Sequence, residues 1–243
     1  MKTAIFSDVH SNLPALQAVL GDIEKNGVSR IICLGDTVGY NAEPVACLER
    51  VRAVCEFVVQ GNHDMACAGE LEADWFNGVA KAGIEYSKKE LSEEDRRYLR
   101  ELPLVKSTDG CSYVHASLDE PAEFRYVLSG AAALSHFRAQ PARLAFSGHT
   151  HKPVVWFLDE KRHLSLEQAS ENISFEEPGK YLVNVGSVGQ NREGRPEACY
   201  VLFDPEKQGI QFRRIPYDVK AAQKRIRAAG LPEILALRLQ KGY

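Results

Sequence analysis

Aspartate, asparagine and histidine gather in five short stretches of this chain, and together they offer the oxygen and nitrogen donors that hold divalent metal ions. The stretches are Asp8-Val9-His10, Gly35-Asp36, Gly61-Asn62-His63-Asp64, His115 and Gly148-His149-Thr150-His151. Five of the seven histidines lie in them, more than solvated turns scattered along a chain would explain. Each stretch follows a short apolar run, which reads as a buried strand. The polar groups therefore stand at strand ends, and a folded sheet would bring those ends to one rim. Asp8, His10, Asp36, Asn62, His115, His149 and His151 are too many for one zinc ion, which takes about four ligands. They suit two ions roughly 3.5–4 Å apart that share a carboxylate. Such a centre stays positive and suits an anionic phosphate. Carboxylate, amide and imidazole without thiolate admit Mn, Fe, Zn or Ni.

The elements that must position these groups follow from hydrophobic period and punctuation. Thr3 to Phe6 reads as a strand; Asn12 caps a helix with Pro14 in its first turn, and Asn26-Gly27 closes it. Arg30 to Leu34, Glu43 to Val54 and Phe57 to Val59 continue as strand, helix and strand. This order implies a parallel sheet with right-handed crossovers, and ligands collect beyond the carboxyl ends of its strands. Gly61 allows a sharp turn after the third strand. In an extended segment Asp8 and His10, and likewise His149 and His151, point to one side. Residues 65–103 read as a helical insertion, with a Ser92/Asp95 capping box and a stop at Pro103. Asp109-Gly110 marks a hairpin that leads up to His115. After a helix over Ala131 to Arg138, strand-like runs at 144–146, 154–158, 181–185, 200–203 and 210–215 predict a second, largely antiparallel sheet. A basic helical tail spans about 218–243. The expected fold is α/β: one domain over 1–243, a four-layer αββα sandwich of two facing mixed β-sheets flanked by helices.

Composition narrows the function classes. With 44% hydrophobic and 26% charged residues, the chain is an ordinary globule rather than a disordered or membrane-spanning one. No apolar run approaches the roughly 18 residues of a membrane helix. The N-terminus offers too little for a signal peptide, so a cytoplasmic protein is expected. Six cysteines form no C-x-x-C pair, which argues against a zinc ribbon or a thioredoxin-like site, and all six are expected as reduced thiols. A net charge of -3 gives no bulk attraction for nucleic acid, although residues 211–243 hold eight Lys or Arg against Asp218 and Glu233. That tail reads as a solvated helix face.

The five stretches, in this order, resemble the calcineurin-like metallophosphoesterases, whose pattern runs D-x-H, G-D, G-N-H-D, a lone His and G-H-x-H. Gly39-Tyr40 and Gly186-Ser187-Val188-Gly189 look like a small bacterial branch of soluble phosphodiesterases within that family. Ala116 stands where many relatives have Gly, a change in backbone freedom rather than in ligation. The resemblance implies one ion on Asp8, His10 and His151, another on Asn62, His115 and His149, and Asp36 bridging them. It implies that His63 contacts the phosphoryl group and helps the leaving oxygen depart, with Asp64 orienting it and favouring its imidazolium form. Asn12, Tyr40 and Arg192 are candidate substrate contacts. The expected activity is two-metal hydrolysis of a phosphodiester or phosphomonoester of a small phosphorylated or nucleotide substrate, by a metal-bound hydroxide. Two other readings are a catalytically silent binding scaffold and a metal-dependent nuclease. Every ligand position is filled, which weighs against the first, and no dedicated polymer-gripping segment supports the second. The H-x-H-x-D-H motif of metallo-β-lactamases is absent.

Overall fold

The first strand, β1 (Thr3–Phe6), is buried along its whole length and divides its side chains between two cores. Ile5 packs with Ile32, Leu34, Val59, Phe146 and Val201, whereas Ala4 and Phe6 pack with Leu16, Val19, Cys33 and Tyr200. Side chains alternate across a strand. A strand apolar on both faces must therefore be covered by a second sheet on one side and by helices on the other. The structure is a computed structural model and describes residues 2–243.

Helix α1 (Leu13–Lys25), strand β2 (Arg30–Cys33), helix α2 (Pro44–Val54) and strand β3 (Phe57–Val58) follow β1. Three helices come next, α3 (Asn62–Ala68), α4 (Gly78–Glu90) and α5 (Glu93–Arg100), with a 3₁₀ turn at Ala73–Trp75. The hairpin β4 (Val105–Thr108) and β5 (Cys111–Val114) turns through Asp109 and Gly110, both at positive φ, as its sequence demands. Then come α6 (Gly130–Ala139), β6 (Leu144–Ser147), β7 (Val154–Asp159), β8 (Leu164–Gln168), β9 (Asn172–Ser174) and β10 (Gly179–Asn184). The chain continues with β11 (Ala198–Asp204), β12 (Gly209–Ile215), α7 (Val219–Ala228) and α8 (Glu233–Lys241).

Two mixed six-stranded sheets result, ordered β3-β2-β1-β11-β12-β9 and β4-β5-β6-β10-β7-β8. Their facing surfaces form the central core; α1 and α2 cover the first sheet, and α6 covers the second. The αββα sandwich is as expected, but the assignment of strands is not. β11 and β12 extend the first sheet antiparallel to β1, and the second is mixed, because β6 runs parallel to both β5 and β10. Their apolar pattern marks β11 and β12 as buried strands; only the pairing Ile5↔Val201 decides which sheet they join. Strands β8 and β9 escape the sequence reading because they are exposed edges of mixed polarity. No helix among the described residues is long and apolar enough to cross a membrane.

The basic tail is docked rather than merely solvated. Ala222, Ile226, Leu235, Ala236 and Leu239 are buried in one cluster with Tyr40 and Ala80, while Lys220, Lys224, Arg225, Arg227 and Lys241 are exposed. A second tie joins the chain's ends: Asp22 on α1 accepts from the Tyr200 hydroxyl at 2.7 Å and from Arg213 at 2.8 and 3.1 Å. Burial raises the Asp22 pKa, but these donors outweigh it and hold the carboxyl below its ordinary value. A depressed folded pKa gives stability that is present above the unfolded value of about 3.9 and is lost as pH falls through the folded one. Asp22→Asn is expected to cost about 1 kcal/mol at pH 7, discounted for partial exposure. Urea unfolding should show the wild-type advantage shrinking below about pH 4; an advantage that is constant with pH would remove the ion pair from the account.

Candidate metal centre

The ligand-type residues stand on loops at the carboxyl ends of β1, β2, β5 and β6 and at the start of α3. Asp8, His10, Asp36, His149 and His151 all have positive φ, between 47 and 65°. This corrects the expectation that the two x-separated pairs lie in extended segments: the left-handed backbone, not strand alternation, aims them. Non-glycine residues rarely adopt it, and such strain persists only where the surroundings over-determine it. Here the loops are laced to one another. Asp8 N–H donates to Gly35 O (3.0 Å), His10 N–H to Asp36 O (2.9 Å), Gly148 N–H to His115 O (2.8 Å) and Gly189 N–H to Asp8 O (2.8 Å). Ser187 Oγ also donates to Asp8 O at 2.9 Å, and His149 N–H donates to the Asp8 carboxylate at 2.9 Å.

Gly61 is not needed for a turn, since its φ is -98°. It is needed for space: a Cβ there would strike the Asp36 carboxylate and lie 2.5 Å from the Asp36 amide nitrogen. Asn62 and His63 then open α3, and Asp64 turns back beneath the Asp36 loop. The fully buried Asp64 carboxylate accepts from the backbone N–H groups of Asp36 (2.7 Å), Thr37 (2.9 Å), Val38 (3.3 Å) and Gly61 (3.2 Å). Burial and the nearby Asp36 charge raise its pKa to about 7, against the pull of those amides. The expected carboxylate partner for the His63 ring is therefore absent. Asp64 holds the backbone of the Asp36 loop, while His63 Nδ1 is buried with no hydrogen-bond partner and burial lowers the His63 pKa well below its ordinary value. What ties the two loops is the His63 N–H, which donates to Asp36 Oδ1 at 2.8 Å.

Three groups of donors converge: Asp8, His10 and His151; His10, Asp36 and His63; Asp36, His115 and His149, each with ligand atoms within 4.8 Å. Asp36 belongs to two of them, its Oδ2 lying 3.3 Å from His115 Nε2 and 3.7 Å from His10 Nε2. Backbone carbonyls hold the far side of three rings: Val38 O on His10 Nδ1 (3.1 Å), Leu34 O on His115 Nδ1 (2.7 Å) and Gln190 O on His151 Nδ1 (2.6 Å). A carbonyl only accepts, so the neutral rings carry their proton on Nδ1 and turn a lone pair inward. His10 Nε2 and His151 Nε2 then face each other at 3.1 Å, with Asp8 Oδ1 3.1 Å from the latter. Two lone pairs and a buried carboxylate oxygen repel unless a cation or proton lies among them. Asp8 Oδ1, Asn62 Oδ1 and His149 Nε2 are also buried without hydrogen-bond partners. This donor set fits divalent metal ions, with the carbonyl partners fixing the tautomers as outer-shell groups do. Burial lowers the His115 pKa, yet the Asp36 charge more than offsets it and raises the value to about 9. Protons and metal therefore compete for this end.

A cleft of about 490 Å³ opens above these groups, lined by Tyr40, Asn62, His63, Phe76, Tyr126 and His149 among others. Phe76 meets the His63 ring edge-on at 4.9 Å, and Tyr126 stacks on His149 at 4.0 Å. The sequence reading missed both walls. The signal available for one was the pair Trp75-Phe76 inside a helical insertion, where Trp75 is 82% exposed. Of the candidate substrate contacts, Tyr40 packs between His10 and His63, ring centroids 4.6 and 4.5 Å apart. Arg192 is half-buried, its N–H donating to His151 O at 3.3 Å. Asn12 must be withdrawn: it is buried, its Oδ1 caps α1 through Ala15 N–H (3.2 Å) and its amide donates to Gly189 O (2.9 Å). His136, outside the site, accepts from Leu118 N–H at 3.1 Å.

Residues 1–208 match the family described as the calcineurin-like phosphoesterase superfamily domain. The chain is 37% identical to an uncharacterized protein of Methanocaldococcus jannaschii over 98% of its own length and 97% of the relative's. In structure it is similar to a metallophosphoesterase from Sphaerobacter thermophilus, with a TM-score of 0.89 at 37% identity and both chains fully covered. It shares its fold with a hypothetical protein from Pyrococcus horikoshii, with a TM-score of 0.76 at 21% identity over 100% and 98% of the two chains.

Asp64→Asn tests the scaffold of the site. An amide can accept on one atom only, so N–H groups now paired would face an NH₂. A buried unsatisfied donor costs about 1–3 kcal/mol, so metal-free Asp64→Asn is expected to lose on the order of 2–4 kcal/mol in urea unfolding. Undiminished stability would mean that those amides do not depend on the carboxylate.

Proposed function

Since the chain belongs to the calcineurin-like phosphoesterase superfamily, we propose that it is a metal-dependent phosphoester hydrolase acting on a small phosphorylated or nucleotide substrate. The observation that carries this reading is the pair of inward lone pairs, His10 Nε2 and His151 Nε2 at 3.1 Å, beside the unpartnered Asp8 Oδ1. Asp8, His10 and His151 would hold one divalent ion, Asn62, His115 and His149 a second, and Asp36 would serve both. Ions held there supply Lewis acidity toward a phosphoryl oxygen and a nucleophile near neutral pH by acidifying bound water.

The chain's own groups do the rest. The walls formed by Tyr40, Phe76 and Tyr126 exclude water from one side of the cleft and confine the ester group. His63 lines the cleft; its Nδ1 is buried against Gly39, so its other ring nitrogen, Nε2, would be the one to give a leaving oxygen a proton. Burial by itself keeps its ring neutral. An anionic phosphoryl group supplies the negative charge that favours the imidazolium. Protonation of His63 thus accompanies substrate binding, in place of the Asp64 partnership expected from sequence.

Elemental analysis of metal-saturated protein is expected to approach two ions per chain, and Asp36→Ala should weaken both. A plateau at one ion, unaffected by loss of His115 or His149, would overturn the paired assignment. His63→Gln should keep its metal yet lose turnover by about 10²–10⁴-fold, the usual worth of a placed proton donor. The loss should be smaller for a nitrophenyl ester than for an alkyl ester, whose alkoxide needs the proton. Equal losses on both would deny His63 that role. A wild type that holds metal but hydrolyses no ester in a broad panel would favour a binding scaffold.

A further inference from the structure

Two exposed aromatic side chains, Trp75 and Tyr126, line the same cavity as Asn62, His63 and His149. Trp75 is 82% exposed and Tyr126 49%. Single exposed aromatics are ordinary on a protein surface, whereas several in one cavity beside a metal centre mark a binding surface.

Both are held in place by their neighbours. Phe76 packs on the buried cluster beneath the helical insertion and meets His63, while the adjoining Trp75 is left outside. The 3₁₀ turn that carries Trp75 is fixed at its end. Phe76 N–H donates to Ala73 O at 3.1 Å, and Asn77 Oδ1 caps α4 by accepting from Val79 and Ala80 N–H at 3.2 and 3.0 Å. Among the described residues no ring contact or hydrogen bond engages the Trp75 indole. On the other segment Phe124 and Val127 are buried, and Tyr126 between them is turned out. The Tyr126 ring stacks on His149 at 4.0 Å, so one of its faces is backed and the other is open.

Polar groups of the same lining are uncommitted as well. The Glu123 carboxylate has no hydrogen-bond or ion-pair partner among the described residues, whereas nearby Asp119 and Glu120 hold Arg125. Capping α4 occupies the Asn77 oxygen and leaves its NH₂ without a partner. Flat apolar faces with a few donors and acceptors beside them match a heteroaromatic ring system better than a sugar or an aliphatic chain. A nucleobase has two such faces and a rim of amino, imino and carbonyl groups.

We propose that Trp75 and Tyr126 stack on the base of a nucleotide whose phosphate lies at the metal centre, with Asn77 and Glu123 meeting the edge of the base. This rests on the hydrolase reading for the phosphate and narrows the substrate class to nucleotides. The Glu123 carboxylate repels phosphate, which favours the orientation that turns the charged end of the ligand toward the metal centre.

The zinc-loaded full chain tests it with the methylenephosphonate analogues of adenosine 5′-monophosphate and ribose 5-phosphate, whose P–C bond resists hydrolysis. By calorimetry the nucleotide analogue is expected to bind roughly 5–150-fold more tightly, the worth of stacking one base on aromatic side chains. It should also quench tryptophan emission excited at the red edge, where bases do not absorb, and the sugar analogue should not. The chain has two tryptophans, and Trp156 is only 8% exposed, so that signal reports on Trp75. Trp75→Ala and Tyr126→Ala should each lower the preference by about 5-fold or more. Trp75→Phe and Tyr126→Phe, which keep a flat face, should retain most of it. Leu128→Ala, at an exposed residue outside the cleft lining, should leave it unchanged. Equal affinities in the wild type, no quenching by the nucleotide analogue, a preference that survives both alanine variants, or an equal loss in Leu128→Ala would overturn the stacking site. Turnover of adenosine 5′-(4-nitrophenyl phosphate), measured in parallel, reports separately on the hydrolase reading. Its absence beside an intact base preference would sink that reading and leave the stacking site standing; turnover without a base preference would do the reverse.

Discussion

Four backbone N–H groups donate to one buried carboxylate, and the geometry of the centre depends on that arrangement. Asp64 collects the amides of Asp36, Thr37, Val38 and Gly61. Its two oxygens offer about four lone-pair sites between them when the group is ionised, enough for the four convergent donors. With the amides fixed, Asp36 keeps the left-handed backbone that aims its side chain between His10 and His115. The Val38 carbonyl is fixed as well, and it holds the His10 ring. One buried side chain thus orients Asp36, His10 and the start of α3. Gly61 and Gly148 belong to the same constraint, because a Cβ on either would displace Asp36 or Asp8.

The sandwich serves this centre by rigid placement rather than by supplying chemistry. Parallel strands β1 and β2 deliver Asp8 and Asp36 side by side, and β5 and β6 deliver His115 and His149 from the facing sheet. The converging donor residues therefore come from both sheets, and the large core between them sets their separation. Close packing resists small displacements, which matters where a few tenths of an ångström decide whether two imidazoles share a cation.

The convergence of these donor residues was legible because each ends an apolar run, and runs and polar ends are local features. Asp8, Asp36 and His115 needed only the strand pattern and the sheet rule to reach one rim. The role of Asp64 was not legible: three of its four partners lie 26 to 28 positions away, and all four are backbone groups, which carry no side-chain signature. Asn12 misled for a related reason, since a helix cap and a free polar side chain look alike until the cap's amide is seen to bond Gly189. The left-handed loops, the sheet membership of β11 and β12, and the docking of the C-terminal helices on Tyr40 all arise from long-range packing. Period and punctuation describe single elements and leave such meetings open.

The pairing of β1 with β11 sets a schedule for the nascent chain. Ile5 is made long before its neighbour Val201, and the Asp8 loop waits also for Ser187 and Gly189. Until then one edge of β1 lacks its partner, and unpaired strand edges favour aggregation. The helices that cover β1 can pack earlier, because α1 follows it directly and shelters Ala4 and Phe6. Closing so distant a pairing is intrinsically slow, since loop entropy is lost before contacts reward it. The centre is thus assembled late, on a chain whose early strands are already shielded on their helical side.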